Sequence, residues 1–484
     1  MNVAHQEQLD AVIIGSGPNG LAAAVTLAEH GWRVRVCEAA ETIGGGTRTQ
    51  ALTLPGFVHD VCSAIHPMAV ASPFLRTRPL ADYGLEWIWP EVQVAHPLDD
   101  GTAVAVYRDL ERTVESFGEE GAHYRRLMEP LVKEATKLLD SVMAPWGLPQ
   151  HPGILARYGW LAWRSAEAVA RSQFGGPRTR ALFAGVAGHA VVPLDQPFSS
   201  AVGLVLCVAA HAVGWPAPKG GSAAITTALA RYLEKLGGRI ETGRPIERLA
   251  DLPAARVVLF DTSPSALARI AGAALPAGYR GRLTRFRHGP AAFKVDWALS
   301  GPIPWTAPEC RAAGTVHVGG TFAEVADAEL APWQGQVHAR PYVLVAQQSV
   351  FDPTRAPEGQ HTGWAYCHVP NGSQADQLDA IERQIERFAP GFRDRILARS
   401  VIRPAEFAAL NSNYVGGDVV GGAQDWVQLL ARPMLRVNPY ATPNPRIFLC
   451  SASTPPGGGV HGMCGYLAAQ SALRRAARLP VTAF

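Results

Sequence analysis

The sequence is poor in cysteine for its length, and the cysteines it has are scattered. Cys37, Cys62, Cys207, Cys310, Cys367, Cys450 and Cys464 make seven, an odd number with no C-x-x-C spacing. That argues against a disulfide scaffold, a zinc site and a dithiol redox centre, and it fits buried free thiols in a reducing compartment. No metal site is expected. No uninterrupted apolar run reaches the roughly 18 residues of a membrane span. The best candidate, Ser199 to Val213, is shorter and reads as a buried helix. No charge of one sign dominates: 44 Lys and Arg stand against 41 Asp and Glu, a net +3. With no clustered basic stripe, a nucleic-acid partner is not expected. The most basic stretch, Arg474-Arg475-Ala476-Ala477-Arg478, reads as a helix C-terminus whose cations oppose the helix dipole. Met1 to Gln8 is polar and leads straight into an apolar strand, so no signal peptide and a cytoplasmic location are expected. There is no internal repeat and no long Gly or Pro tract.

What is present is a change of style along the chain. Ala11-Val12-Ile13-Ile14 is a short apolar run typical of a buried parallel strand. A Gly-rich turn, an Ala-rich helix from Leu21 to His30 and a second strand, Trp32 to Val36, complete a βαβ unit. From Leu75 to Val213 helical stretches dominate, such as Ala122 to Met143, interrupted at Pro130. Near Pro218 the α/β style returns. Ile225, Ala228, Leu229, Tyr232, Leu233 and Leu236 share a helical face that Gly237-Gly238 ends, and strands follow at Arg239–Thr242 and Val257–Phe260. Strand-like runs at Phe293–Ala298, Tyr342–Ala346 and Gly363–His368 come next, the last two as an antiparallel hairpin. An amphipathic helix at Asp376–Phe388, a strand at Arg446–Cys450 and a helix from about Gly462 to Arg478 close the chain. A nucleotide-binding domain made of 1–74, 215–285 and 432–484, with a substrate domain of 75–214 and 286–431 inserted in two pieces, accounts for this order. The expected class is α/β with an inserted α+β domain.

The turn after the first strand is Gly15-Ser16-Gly17-Pro18-Asn19-Gly20, a G-x-G-x-x-G that opens a helix. Gly15 permits the tight turn, Gly17 a close approach to a pyrophosphate, and Gly20 the packing of helix on strand. The helix N-terminus presents free N–H groups and a positive dipole end to phosphate. Glu38 lies 18 residues after Gly20, at the end of the second strand, where a carboxylate accepts ribose hydroxyls. Ala39 follows, and then a second Gly-rich loop, Gly44-Gly45-Gly46-Thr47-Arg48. That loop is superfluous for NAD and expected for the longer FAD. For Arg48 a phosphate contact, a tie within the loop and a surface salt bridge all stay open.

These motifs resemble the FAD-binding half of glutathione-reductase-type flavoproteins, with the amine oxidases and phytoene desaturases as the nearest branches. The run Thr454-Pro455-Pro456-Gly457-Gly458-Gly459-Val460-His461-Gly462 is similar to the closing flavin motif of the phytoene desaturase branch. Within it, Phe293–Leu299, Gly314–Gly320, Asn413–Asp418 and 454–466 resemble the pyridine nucleotide-disulfide oxidoreductase domain-containing protein 2 subfamily. The resemblance implies a Rossmann-like, discontinuous FAD domain of glutathione-reductase type. It also implies cofactor contacts at Ile246 after the Thr242-Gly243 strand end and at Ser453, Gly459, Val460, His461 and Met463. The amine-oxidase loop is usually G-G-R where this chain has GGGTR, and no second G-x-G-x-x-G marks a separate NAD(P) domain.

The implied activity is hydride transfer between a C–C or C–N bond of an apolar small molecule and FAD, with oxygen or a quinone as external electron acceptor. A redox-neutral flavin isomerase and a non-turnover FAD-bound regulator remain alternatives, as does peripheral membrane contact. His461, inside the flavin loop, and His66 are the candidate catalytic histidines. His189 and His211 read as core histidines and Tyr466 as packing. Lys294 and Asp296, two apart on a strand, either line the cavity or pair with each other or face solvent. Most of Trp160, Trp163, Trp297, Trp305, Trp333, Trp364 and Trp426 are expected to fill core.

Overall fold

The computed structural model describes residues 8–144, 150–476, 479–482 and 484. In chain order its principal strands are β1 (Leu9–Ile14), β2 (Val34–Cys37), β3 (Val92–Pro97), β4 (Ala103–Tyr107), β5 (Arg239–Glu241), β6 (Ala255–Phe260), β7 (Ala291–Leu299), β8 (Ala313–Val318), β9 (Val343–Ala346), β10 (His361–Val369), β11 (Ile396–Ile402) and β12 (Ile447–Leu449). The helices that matter for the site are α1 (Pro18–Glu29), α2 (Ser199–Ala212), α3 (Ala223–Lys235), α4 (Phe322–Leu330), α5 (Leu378–Phe388) and α6 (Met463–Ala476).

A five-stranded parallel sheet runs in the order β12-β6-β1-β2-β5. β1 is buried along all six residues, as a central strand covered on both faces must be. Helices α1 and α6 pack on this sheet in close contact: a Cβ at Gly465 of α6 would lie 1.8 Å from the Asn19 carbonyl oxygen. The sheet draws its strands from both ends and the middle of the sequence. A mixed seven-stranded sheet follows the order β11-β7-β10-β9-β8-β3-β4, antiparallel except where β8 runs beside β3. The fold is thus mixed α/β with a Rossmann-type sheet.

Several expectations are corrected. The segment 75–213 is not simply helical: β3 and β4 form an antiparallel pair that joins the edge of the mixed sheet. Trp160, Trp163 and Trp426 do not fill core; they are 68%, 53% and 46% exposed. Trp297 and Trp305 are core, each with its indole N–H donated to a buried side chain, Glu382 and Gln347 respectively. The Ser199–Val213 run is a buried helix. The last helix is described to Ala476; Ala477 and Arg478 of the basic tail, like most of the polar N-terminus, lie outside the described residues.

Candidate active site

The carboxyl ends of the parallel strands meet one face of the mixed sheet around a cavity of about 800 Å³. That size suits a buried organic ligand. Its walls combine the Gly15–Asn19 turn, Glu38–Ala40, Gly45, Gly46, Arg48, residues 62–69, Arg244–Glu247, Asp261–Ser263, residues 411–414, and Ser451–Ser453 with Gly458–Val460.

The glycine turn behaves as its sequence predicts. Gly15 has φ +101°, and a Cβ there would press within 2.8 Å of the Asp261 carbonyl oxygen. A Cβ on Gly20 would lie 2.1 Å from the Gly15 carbonyl oxygen. Gly20 is therefore a packing glycine and does not line the cavity. Ser16 N donates to Glu38 and Gly20 N to Asp261. Among the described residues the Gly17 and Asn19 N–H groups make no hydrogen bond, and Asn19 Oδ1 is buried without a partner. Pro18 at N1 removes a donor that needs no partner. Unspent donors at a helix N-terminus, facing a cavity, fit an anionic diphosphate.

Glu38 is held firmly. Its Oε2 accepts from Ser16 N at 2.8 Å and Ser16 Oγ at 2.6 Å, and its Oε1 from Ala40 N at 2.9 Å. A carboxylate has about four acceptor positions, so room remains for a ribose hydroxyl. Arg48 ties the loop: it donates to the carbonyls of Thr42 and Leu410 and stands 3.5 Å from Glu38. The surface salt bridge is thereby excluded, since Arg48 is buried. Thr47 turns its hydroxyl onto the Gly44 carbonyl and Thr226, away from the cavity, because its side chain fixes the turn of the loop.

The closing loop departs most from expectation. Ser453, Gly459 and Val460 line the cavity, as do Ile246 and Ala39, but His461 and Met463 do not. The His461 ring is buried and accepts the Met463 N–H at Nδ1, so it caps the start of α6. Burial pushes its pKa down to about 4 despite the Gly457 and Gly458 carbonyls. A catalytic role for His461 is thus withdrawn. His66 does face the cavity. The Ser222 hydroxyl donates to the Ser63 carbonyl at 2.7 Å, so at the 2.8 Å contact His66 Nε2 is the donor and Nδ1 keeps the lone pair. Burial lowers His66 to about 4, which keeps it neutral.

Lys294 both lines the cavity and pairs with Asp296. Burial raises Asp296 to about 6, with Lys294 opposing. His189 also lines the cavity, bonded to His317 at 2.9 Å; His211 is a core histidine bonded to Tyr124. Tyr466 packs beside Phe74.

Sequence reasoning missed Asp261. It directly follows β6, beside β1, where the rule that ligands sit at strand carboxyl ends would have found it. Burial raises its carboxyl to about 7, the Gly20 N–H opposes this, and the Glu38 charge adds to it. A carboxyl raised in the folded state costs stability that is absent at acid pH, grows as pH rises past its ordinary value and levels above about 7. Asp261→Asn is expected to raise the neutral-pH Tm by roughly 2–4 °C, with the gain vanishing in acid. Thermal unfolding of both proteins across pH checks this; a gain of equal size at acid pH sinks it.

The comparisons agree with this geometry. The family described as an NAD(P)-binding Rossmann-like domain matches residues 13–83. The chain is 24% identical to the pyridine nucleotide-disulfide oxidoreductase domain-containing protein 2 of Rattus norvegicus, covering 96% of this chain and 94% of that one. It is 26% identical to a phytoene dehydrogenase of Streptomyces griseus over 80% of this chain and 77% of the relative. Among solved structures, putrescine oxidase bound to putrescine shares the fold, with a TM-score of 0.61, 17% identity and coverage of 97% and 99%. Cradle and similarities together mark the chain as an FAD-dependent oxidoreductase that is similar in sequence to phytoene dehydrogenase.

Proposed function

We propose that the protein removes a hydride from a C–C or C–N unit of an apolar organic substrate, passing it to FAD, and that oxygen or a quinone then takes the two electrons. The observation that carries this reading is one continuous cavity, which runs from the glycine cradle to an apolar wall of Leu206, Val202, Leu344, Ala346 and Trp364. FAD, when bound, supplies the hydride-accepting ring. The chain's own groups do the rest. Gly15, Ser16, Gly17, Pro18 and Asn19 cradle the diphosphate, Glu38 and Ala39 the ribose, and Ile246 the adenine. Gly45, Gly46 and Arg48 hold the middle of the cofactor, and Ser453, Gly459 and Val460 its ring end. His66 Nδ1 is the cavity's candidate proton acceptor. We take the parallel sheet, with residues 1–74, 215–285 and 432–484, as a glutathione-reductase-type cofactor domain, and 75–214 with 286–431 as the substrate domain.

The test is anaerobic photoreduction of the FAD-loaded protein, followed by mixing with oxygen or a soluble quinone. Flavin that is reduced and then reoxidised within seconds supports turnover. Flavin that resists either step favours a non-turnover role, and reduced flavin that isomerises a substrate without net oxidation favours an isomerase. A protein that takes up no FAD sinks all three.

Peripheral membrane contact is assigned to the exposed Trp160 and Trp163. Trp160 lies in the helix Pro152–Ala162 and Trp163 caps its C-terminus; that helix packs on α2, whose Val202 and Leu206 line the cavity. Such amphipathic rings favour the lipid–water interface. Trp160→Ser/Trp163→Ser is expected to abolish flotation with liposomes while leaving bound FAD unchanged; undiminished flotation refutes the assignment.

A further inference from the structure

The mixed sheet gives one face to the cavity, and its side chains are ordered. In β10 alternate residues share a face, so Trp364, Tyr366 and His368 stand in a row, and all three line the cavity. Their ring centroids are 5.2 Å and 5.4 Å apart. The row begins where the Trp364 indole donates to the Asp60 carbonyl, and it ends at His368. The wall around the row is mostly apolar, apart from Lys294, which stands beside Tyr366 and is already paired with Asp296. The far end of the row is not apolar.

Behind His368 stands Glu329 of α4, 2% exposed. Both of its oxygens face His368 Nδ1, at 2.9 Å and 2.8 Å, and it accepts no other hydrogen bond among the described residues. A buried carboxylate with one partner is best satisfied when that partner is its counter-ion. Nδ1 is committed to Glu329, so in that ion pair the ring N–H left over is Nε2–H, and Nε2 has no partner among the described residues. The neighbouring imidazoles do not compete for it. His189 is bonded to His317, and burial with the adjacent His368 charge drives His189 down to about 3. Tyr342, also packed here, donates its hydroxyl to the Gly185 carbonyl. Val191, in the same wall, is held at φ +54°, unusual for a β-branched residue, and its carbonyl accepts the Trp333 indole N–H. This end of the cavity is therefore fixed, and it offers one ring N–H without a partner in the ion pair.

We propose that His368, oriented by Glu329, is a specificity-determining anchor that takes a carbonyl or carboxylate oxygen at one end of an otherwise apolar substrate. The inference rests on reading the cavity as the substrate site of a flavin oxidoreductase, and it narrows that reading: a bare hydrocarbon satisfies the wall and leaves the Nε2–H donor unpaired. Glu329 acts through His368 and is a positioning residue.

The experiment titrates the FAD-loaded protein with 2-decanone, decanoate and decane, following tryptophan fluorescence, since Trp215 and Trp364 line the cavity. At least one oxygenated probe is expected to bind about ten- to hundredfold tighter than decane, the range for a hydrogen bond to a charged donor. The ketone and the acid separate a neutral from an anionic headgroup. His368→Phe is expected to erase the preference while decane affinity stays within about threefold, and Glu329→Gln to reduce the preference. Equal binding of all three probes, no binding of the oxygenated probes, or a preference that survives His368→Phe overturns the proposal. Should His368→Phe fail to fold, the wild-type series and Glu329→Gln still decide. Flavin absorbance is recorded in parallel: loss of FAD uptake refutes the oxidoreductase reading, whereas bound FAD with no oxygen preference refutes only the anchor.

Discussion

Gly20→Val protein is expected to purify colourless and to take up less than about a tenth of the FAD bound by the parent. The reason lies in how little space α1 leaves. A Cβ at this position would stand 2.1 Å from the Gly15 carbonyl oxygen and 3.0 Å from Asp261 Oδ2. The first obstacle is backbone, which has no rotamer to change. The helix must therefore back away from β1, taking with it the Gly17 and Asn19 N–H groups and the Gly20 N–H that Asp261 accepts. Overpacking of this kind costs about 1–3 kcal/mol or more in stability. Its effect on the ligand is larger, because diphosphate recognition depends on several donors converging on one point. The ratio of visible flavin absorbance to protein absorbance, after incubation with excess FAD, reads the result. Near-normal loading in a folded Gly20→Val protein would refute the assignment of the turn as the diphosphate cradle.

The second large effect concerns a residue that touches no ligand. Arg355 is wholly buried between two carboxylates. It donates to Asp60 at 2.8 Å and Asp352 at 3.0 Å. Asp60 also accepts from Ser222 N, Thr49 Oγ1 and Gln348 Nε2, and Asp352 from Gly220 N. The cluster thus joins residues 49–60 and 220–222 to residues 348–355. Arg355→Met would strand two buried carboxylates, which costs about 3–5 kcal/mol. The pH dependence carries a sign. Burial pushes Asp60 up, but the Arg355 charge and its hydrogen bond, with those of Ser222 and Thr49, more than offset it and leave the carboxyl below its ordinary value. The stability Asp60 contributes is therefore present above the ordinary carboxylate value and is lost as pH falls below it. In Arg355→Met that acid-side loss should shrink or reverse. Urea unfolding of both proteins from neutral to acid pH decides; a parent-like midpoint at neutral pH contradicts the expectation.

The parts of the site made by local backbone were legible in the sequence. The Gly15–Gly20 turn, Glu38 and Ile246 declare themselves by spacing or resemblance, because strand, turn and helix follow one another within a few residues. Parts made by tertiary approach were not. Asp261 reaches the turn only through the pairing of β6 with β1, a partnership separated by about 240 residues that no local pattern announces. Position in a motif misled for His461: the resemblance located the loop, but the loop's turn into α6 decided where the ring points. The β3–β4 pair carries a local signal that its surroundings mask. Asp100-Gly101 between two short runs rich in Val and Ala is a hairpin signal, lost among the helices around it. The exposed Trp160 and Trp163 show the limit of reasoning from residue type, since composition says nothing of which side a ring takes.

The parallel sheet has one more consequence, for synthesis. Its β12 edge and the α6 helix that meets Asn19 through Gly465 come from residues 447–476, more than 400 positions after the glycine turn they complete. A ribosome-bound chain therefore carries an exposed α1 face until residues 447–476 emerge, and only then gains the cavity wall made by Ser451–Ser453 and Gly458–Val460. FAD capture is in that sense a late checkpoint. Nascent chains that stall or are cut short before residue 447 cannot pass it, and retention of colour reports that synthesis has gone beyond the β12 strand and that the sheet has closed on α1.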